Sequence, residues 1–306
     1  MGPDFRRGGA KKKQLVKQCR TSYLSDMSVT EIIERFRNPP PVVPVIRFDG
    51  VIAPRQWRGA LSLASHAAAL DRAFRMKRAA AVAIIVNSPG GSPVQSSLLY
   101  RRIRQLAEEK RLPVFAFAED VAASGGYWLA LAGDEVYADE TSILGSIGVV
   151  SSGFGFQRLI DRIGVERRLH TAGDNKSLLD PFLPESDRDL ERLSALQHDI
   201  HAAFKEHVKR RRLGKIDADD ETLFSGEVLT GRAALAKGLI DGIGDLRTVM
   251  RARFGDRVRL VPVASERKRR WPFLRPRRGV DADRLGFVAD LAGWLEARLL
   301  WARFGL

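Results

Sequence analysis

The most reactive arrangement in the sequence is a serine set among small residues. Ser124 is preceded by two alanines and followed by two glycines, in the stretch AASGGYW. Small neighbours leave a hydroxyl accessible, and the start of a helix favours negative charge developing beside it. Serine is also common as a helix N-cap. Glycine, however, costs roughly 1 kcal/mol relative to alanine inside a helix, so the double glycine favours a chemical role.

A lysine in a second loop is the candidate base for this serine. Lys176 follows 52 residues later, in the turn-rich stretch TAGDNKS. A lysine removes a proton only when it is neutral, which requires an apolar pocket that lowers the usual lysine pKa of about 10.4. Most lysines are solvated surface charges instead, and from position alone that alternative stays open.

A third loop offers backbone donors. The stretch NSPGGS at 87–92 follows a predicted strand, and its glycines let the backbone approach a ligand closely. An ordinary strand-to-helix turn fits the same residues. We expect all three loops to follow strands of one parallel sheet, where sites lie beyond the carboxyl ends of the strands.

The elements that must position these loops alternate between strands and helices. Short apolar, β-branched runs predict strands at 42–48, 81–86, 113–118 and 135–138, with a further strand at 166–170 before the Lys176 loop. Helices are predicted at 57–76, 93–109, 125–132, 155–163, 186–212 and 231–237. This alternation predicts an α/β fold with a mainly parallel sheet flanked by helices.

Composition limits the function classes. The 306 residues are 44% hydrophobic and 29% charged, which is enough to bury a core. The net charge of +14 is concentrated at 1–20 and 266–278, each with seven basic residues and one acidic residue. The body is therefore nearly neutral, and nucleic acid is not an expected partner. The single Cys19 excludes an internal disulfide and a cysteine-based zinc cage, and neither a metal nor a cofactor is expected.

Taken together, the three loops resemble the signal peptide peptidase A family of serine proteases, in its short, SohB-like subgroup. The resemblance extends from about 42 to 246. Besides the loops around Ser124 and Lys176, it rests on FDGVI at 48–52, SPGG at 88–91, LGSIGV at 144–149, SG at 225–226 and GLID at 238–241. It implies a ClpP/crotonase-like fold of repeated β-β-α and βαβ units, peptide substrates and a homo-oligomer.

The resemblance also assigns roles to individual residues. Ser124 is the implied nucleophile, and Lys176 is the implied general base that later protonates the leaving amine. Ser146 is implied to orient the lysine, and the N–H groups of Gly91 and Gly125 to form the oxyanion hole. The implied substrates are remnant signal peptides or other apolar, membrane-associated peptides.

The expected organisation has three parts. A basic lead-in at 1–38, with a short helix near 29–37, precedes a catalytic domain at 39–263 and a basic linker with an apolar helical tail at 264–306. No stretch of about 20 apolar residues is evident, so neither a spanning segment nor a signal peptide is expected. We expect a cytoplasmic protein, or one peripheral at the inner face of the bacterial membrane whose C-terminal segment contacts anionic lipid. A merely solubilising tail is the alternative.

Other functions stay open from the residues alone. A Ser-His-Asp hydrolase would use His170, although no serine lies in a Gly-x-Ser-x-Gly motif. A crotonase-like enzyme acting on coenzyme A thioesters would use the same backbone donors but needs no Ser–Lys pair. A non-catalytic scaffold would bind membranes through the basic ends. His198, His201 and His207 do not form the zinc motif His-Glu-x-x-His, so we expect them on a solvated or packing face.

Overall fold

A computed structural model describes residues 39–54, 60–173, 175–264 and 298–305. These residues form one mixed sheet flanked by helices, which confirms the predicted α/β fold with a mainly parallel sheet. The strands are β1 (Val42–Asp49), β2 (Val82–Ser88), β3 (Val114–Ala123), β4 (Glu135–Ala138), β5 (Ile143–Gly145), β6 (Val228–Thr230), β7 (Gly242–Ile243) and β8 (Arg259–Pro262).

The strand order places β3 at the centre of the sheet edge from which the candidate site loops leave. The order is β6-β5-β3-β2-β1-β8, with β4 pairing with β3 and β7 pairing with β4. Within the described sheet, β5 and β6 are the one antiparallel pair. The first half of β3 pairs with β4 and its last three residues pair with β5. β3 and β5 therefore end side by side, directly before Ser124 and Ser146.

Seven helices are named within the described residues. They are α1 (Leu63–Phe74), α2 (Pro93–Lys110), α3 (Gly125–Ala130), α4 (Gln157–Arg162), α5 (Asp187–Arg211), α6 (Gly231–Ala236) and α7 (Leu246–Phe254). Residues 298–302 are also helical. The helix predicted from 57 begins only at Leu63, because Ser62 and Ser65 form a capping box that fixes its start.

The sheet buries both of its faces, but to different extents. On one face, the largest apolar cluster joins Phe48, Ile84 and Leu99 to residues of α3 and α5. On the other face, a smaller cluster around Phe117 packs against Met250 of α7. Burial on both faces explains why β2 and the first half of β3 appear in the sequence as apolar runs.

The second half of the chain departs from the expectation. Residues 166–170, predicted to be a strand, form no strand, and no described residue between 149 and 203 is buried. A strand needs a neighbour to satisfy its backbone, and this segment lies off the sheet. The short strands β5 to β8 and helix α7 were not predicted.

Several expectations concern residues outside the described ranges. These are the lead-in with its helix near 29–37, Cys19, and most of the basic linker and tail. Among the described residues, no helix is long and apolar enough to cross a membrane.

Candidate active site

Ser124 joins β3 to α3 in a strained backbone conformation. Its φ is 52° and its ψ is −123°, and its side chain makes no capping hydrogen bond to the helix. The Ser124 side chain therefore does not act as a helix N-cap. Ser124 is partly exposed, whereas the residues at 121–123 and 125–133 are buried. Positive φ at a non-glycine residue is costly, and such strain clusters at active sites.

Ser146 is brought beside Ser124 by the pairing of β3 with β5. Ala123 and Gly145 are partners in the ladder, so the serines that follow them leave parallel strands that are about 4.8 Å apart. The Ser124 N–H donates to the Gly145 carbonyl at 2.9 Å, and the Ser146 N–H donates to the Glu227 carbonyl at 2.6 Å. Ser146 has a φ of 51°. The backbone thus fixes both serines at one edge of the sheet.

The two glycine loops approach each other next to these serines. A Cβ atom on Gly90 would lie 2.8 Å from the Gly125 nitrogen, and one on Gly125 would lie 3.4 Å from the Gly91 nitrogen. Gly91 has a φ of 132°, and its Cβ would lie 2.1 Å from the Ile52 carbonyl oxygen, so a side chain does not fit. Within the described residues, the N–H groups of Gly91 and Gly125 donate to no protein atom. Two neighbouring donors are therefore available to an oxyanion.

The structure adds polar residues that the sequence analysis did not single out. Asn87 links the ends of β2 and β3: its Nδ2 donates to Asp120 at 2.9 Å, and its Oδ1 accepts the Val121 N–H at 3.1 Å. Ser88 Oγ accepts the Gly90 N–H at 3.2 Å. These bonds hold the glycine loop against the strand that carries the nucleophile candidate. Their place in the NSPGGS stretch was the available signal, but it did not indicate their partners.

Helix α3 is anchored by residues that lie more than 100 positions later in the chain. The Tyr127 hydroxyl donates to the Leu239 carbonyl at 2.7 Å, and burial holds the pKa of Tyr127 well above its usual value. Nearby, Asp241 accepts from Arg212 at 2.7 Å and from Lys215 at 2.6 Å. Burial alone would raise the pKa of Asp241, but these bonds outweigh it and lower that pKa.

Lys176 lies in a different environment from the two serines. It is exposed in the turn at 175–179, and within the described part of the chain it makes no hydrogen bond to Ser124 or Ser146. The surrounding segment is held by contacts of its own, such as the bond from the Phe156 N–H to the Pro181 carbonyl at 2.6 Å. The structure thus brings Ser124, Ser146 and the two glycines together, and within the described residues Lys176 forms no hydrogen bond to either serine.

The histidines considered above lie in different surroundings. His170 is exposed and makes no hydrogen bond to Ser124 in the described residues. His201 donates to a carbonyl of the Ser146 loop at 3.0 Å. His207 stacks on Trp128 and donates to its carbonyl at 3.4 Å, and burial lowers the pKa of His207 to about 3.

Comparisons with known proteins assign the chain to a family. Residues 106–254 match the family model described as Peptidase family S49. The chain is 30% identical over 266 residues to the putative protease slr0021 of Synechocystis, covering 83% of this chain and 92% of that protein. The chain belongs to peptidase family S49. The family resemblance inferred from the motifs is thereby confirmed.

Other relatives of this S49 chain are considerably longer. It is 34% identical over 213 residues to the chloroplastic serine protease SPPA of Arabidopsis thaliana, covering 67% of this chain and 31% of that protein. It is 51% identical over 287 residues to a Brucella abortus protein named Na(+)/H(+) antiporter NhaA, covering 90% of this chain but 38% of that protein. The chain thus spans less than two fifths of these curated relatives, and the antiporter name describes the longer protein.

Among solved structures, a membrane-bound stomatin-specific protease in complex with a substrate peptide is similar to the S49 chain. The TM-score is 0.48 at 16% identity, covering 82% of this chain and 99% of that chain.

Proposed function

We propose that this S49 chain is a serine endopeptidase in which Ser124 attacks the peptide carbonyl. The observation that carries the proposal is the strained, uncapped Ser124 beside two N–H groups that have no acceptor among the described residues. The developing oxyanion would accept hydrogen bonds from Gly91 and Gly125. Such donors act where water is excluded, and losing one costs about 10²–10³ in turnover in enzymes that use them.

Lys176 is the general base in this proposal. It takes the Ser124 proton as the new C–O bond forms, and it returns that proton to the amine nitrogen as the C–N bond breaks. A lysine must lose its solvation to be neutral, and its own chain leaves Lys176 exposed. The desolvation must therefore come from another body, either a second copy of the chain or the bound peptide. Ser146 would orient the amine in the assembled site.

Exposed apolar residues support a homo-oligomer as the active form. Phe154, Ile163 and Val165 are 75%, 64% and 50% exposed in the single chain. Soluble monomers seldom leave several large apolar side chains of one segment uncovered, and closed symmetry is the usual form of self-assembly. Light scattering should give a multiple of 34.0 kDa, and Phe154→Ser with Ile163→Ser should lower that mass. A strict monomer before substitution would contradict the assembly.

The substrates in this proposal are apolar peptides, including remnant signal peptides and other membrane-associated segments. A groove of about 430 Å³ begins at the first turn of α2, two residues after Gly91, and it is lined in part by Val94, Leu98, Trp128 and Ile200. Because Trp128 lies four residues after Ser124, this partly apolar groove supports binding of apolar side chains. For these substrates we place the protein in the cytoplasm or at the inner face of the membrane.

The deciding experiment replaces the nucleophile. Ser124→Ala should abolish cleavage of an apolar peptide while the circular dichroism spectrum stays unchanged, and the exposed Ser151→Ala is the matched control. Full activity of Ser124→Ala would reject the peptidase. Turnover of a coenzyme A thioester that survives Ser124→Ala would instead favour the crotonase-like alternative, because the backbone donors remain.

A further inference from the structure

The second face of the sheet is only partly covered by α7. Met250 packs against this face, but beyond the start of α7 there is a cavity of about 640 Å³. Its floor is apolar and includes Ile85, Phe117, Leu246 and Leu260. An open apolar floor of this size can accommodate several side chains of an extended peptide.

The walls of the cavity carry a concentration of negative charge. Glu119, Asp120, Asp139 and Asp245 line it, and Arg247 is the one cation among the lining residues. This sign is opposite to the net charge of +14 for the whole chain. Complementary charge draws partners of the opposite sign to such a surface.

Two of these carboxylates are held in their charged form. Asp139 accepts from the Thr141 hydroxyl at 2.6 Å, and Asp245 accepts from the Thr248 hydroxyl at 2.5 Å. These side-chain bonds lower the pKa of Asp139 and the pKa of Asp245. Glu119 differs, because it already forms an ion pair with Arg47. Three carboxylates therefore remain to meet an external cation.

The cavity is connected to the active-site edge by the same strands. Asp120 lies four residues before Ser124 on β3, a path of about 13 Å at about 3.3 Å per residue. Ile143, which also lines the cavity, lies three residues before Ser146. A peptide with its scissile bond at Ser124 therefore needs only about four extended residues to reach the cavity.

We propose that this cavity binds a basic segment of the substrate peptide, with Lys or Arg at its carboxylates and adjacent apolar residues on its floor. The proposal rests on the peptidase function argued above and deepens it. It makes the preferred substrate an apolar peptide with a basic flank, held at two places: the nucleophile and the acidic cavity.

The first test is direct binding to the inactive Ser124→Ala chain. Two fluorescein-labelled peptides share one apolar core, and one carries three Lys or Arg residues where the other carries Gln. We expect the basic peptide to bind about tenfold more tightly at low salt, since each exposed ion pair contributes modestly. This advantage should shrink as salt screens the charges.

The second test removes the charge while keeping the hydrogen bonds. Asp120→Asn, Asp139→Asn and Asp245→Asn together retain acceptor oxygens and should abolish the preference for the basic peptide. As a matched control, Glu108→Gln with Glu109→Gln removes exposed carboxylates at the end of α2 and should leave the preference intact.

The outcomes separate this inference from the peptidase proposal. Equal binding of both peptides, or full preference after the three Asn substitutions, would overturn the acidic cavity as a substrate site even if the enzyme cleaves peptides. Binding of neither peptide, as expected if the chain's own basic run at 266–278 filled the cavity, would overturn it as well. Selective binding of the basic peptide by Ser124→Ala, together with no peptide cleavage by wild type, would refute the peptidase alone.

Discussion

The edge of the sheet around Ser124 and the segment that carries Lys176 are built in opposite ways. The last residues of β3 and most of α3 are buried, and the backbone of Ser124 is tied to β5. By contrast, no described residue from 149 to 203 is buried. In the proposed peptidase, one half of the site is thus organised by its own chain, and the other half depends on what covers it.

This difference has a physical origin in what each half must do. A nucleophile with fixed backbone donors needs rigidity, which a sheet edge supplies. A lysine base needs removal from water at the moment of use, and a subunit contact or a bound peptide provides that only when the complex forms. Because Lys176 is removed from water only in the complex, the single chain would be inactive.

The largest effect should come from the exposed half. Lys176→Arg should lower turnover of an apolar peptide by at least about 10³-fold, because a guanidinium stays protonated and cannot act as a base. His170→Ala should leave turnover nearly unchanged. Steady-state kinetics of both variants beside wild type decide the point. If His170→Ala is dead and Lys176→Arg is active, the histidine hydrolase replaces the dyad.

The next effect probes the buried half. Gly91→Ala should lower the free energy of unfolding by about 2–4 kcal/mol, because its Cβ would lie 2.1 Å from the Ile52 carbonyl oxygen at a φ of 132°. Gly153→Ala is the control, since its Cβ meets nothing within 4 Å. Urea denaturation measures both. Equal stability of the two variants would mean that the glycine loop is not the rigid element described.

An effect of similar size distinguishes the two ends of α5, whose second half packs on the core. His207 is buried with its pKa lowered to about 3, against 6.5 in a free histidine. Between these values the unfolded chain binds the extra proton, so the contribution of His207 to stability is fully present above about pH 6.5 and is lost as the pH falls. Over that window wild type should lose about 2–4 kcal/mol more than His207→Phe.

Acid unfolding followed at several pH values checks this expectation. Protonation of Asp241 and other carboxylates with a lowered pKa destabilises wild type and His207→Phe equally on acidification. The difference between the two curves therefore isolates His207. The exposed His198→Phe should follow wild type. A His207→Phe curve parallel to wild type would show that this ring is not buried in its neutral form.

The smallest effect is expected where the chain packs least. Phe154→Ala should change the free energy of unfolding by no more than about 0.5 kcal/mol in dilute, dissociated protein, because the side chain is 75% exposed. Leu144→Ala, on β5 with no exposure, should cost about 2–5 kcal/mol. Denaturation at low protein concentration compares them. A large loss in Phe154→Ala would mean that the segment packs on its own chain.

The sequence predicted strands β1 to β4 and helices α4 to α6 well, but it missed strands β5 to β8 and helix α7. Strands β1 to β4 carry much of the buried apolar core and appear as apolar runs bounded by turns. Strands β5 to β8 have two to four residues each, too few for any period to emerge. The run at 166–170 has strand composition but no neighbouring strand, and composition does not supply one.

The site residues show a similar division. The loops around Ser124 and Gly91 follow predicted buried strands, so their convergence at one sheet edge was predictable from the order of elements. Ser146 was implied only by the family resemblance, because the short strand β5 before it was not predicted. The linking roles of Asn87 and Ser88 depend on an irregular step between β2 and β3. Such a step is decided by the packing of both strands and leaves no periodic mark in either one.

The bond from Tyr127 to the Leu239 carbonyl also has a consequence for synthesis. The two residues are 112 positions apart, so the acceptor emerges from the ribosome about 6–22 s after the tyrosine at about 5–20 residues per second. During that interval α3 lacks its deepest anchor, and Asp241 has not yet met Arg212. A chain interrupted before this point would carry Ser124 without the support that holds the helix after it. The order of translation thus delays completion of the site until most of the domain has been made.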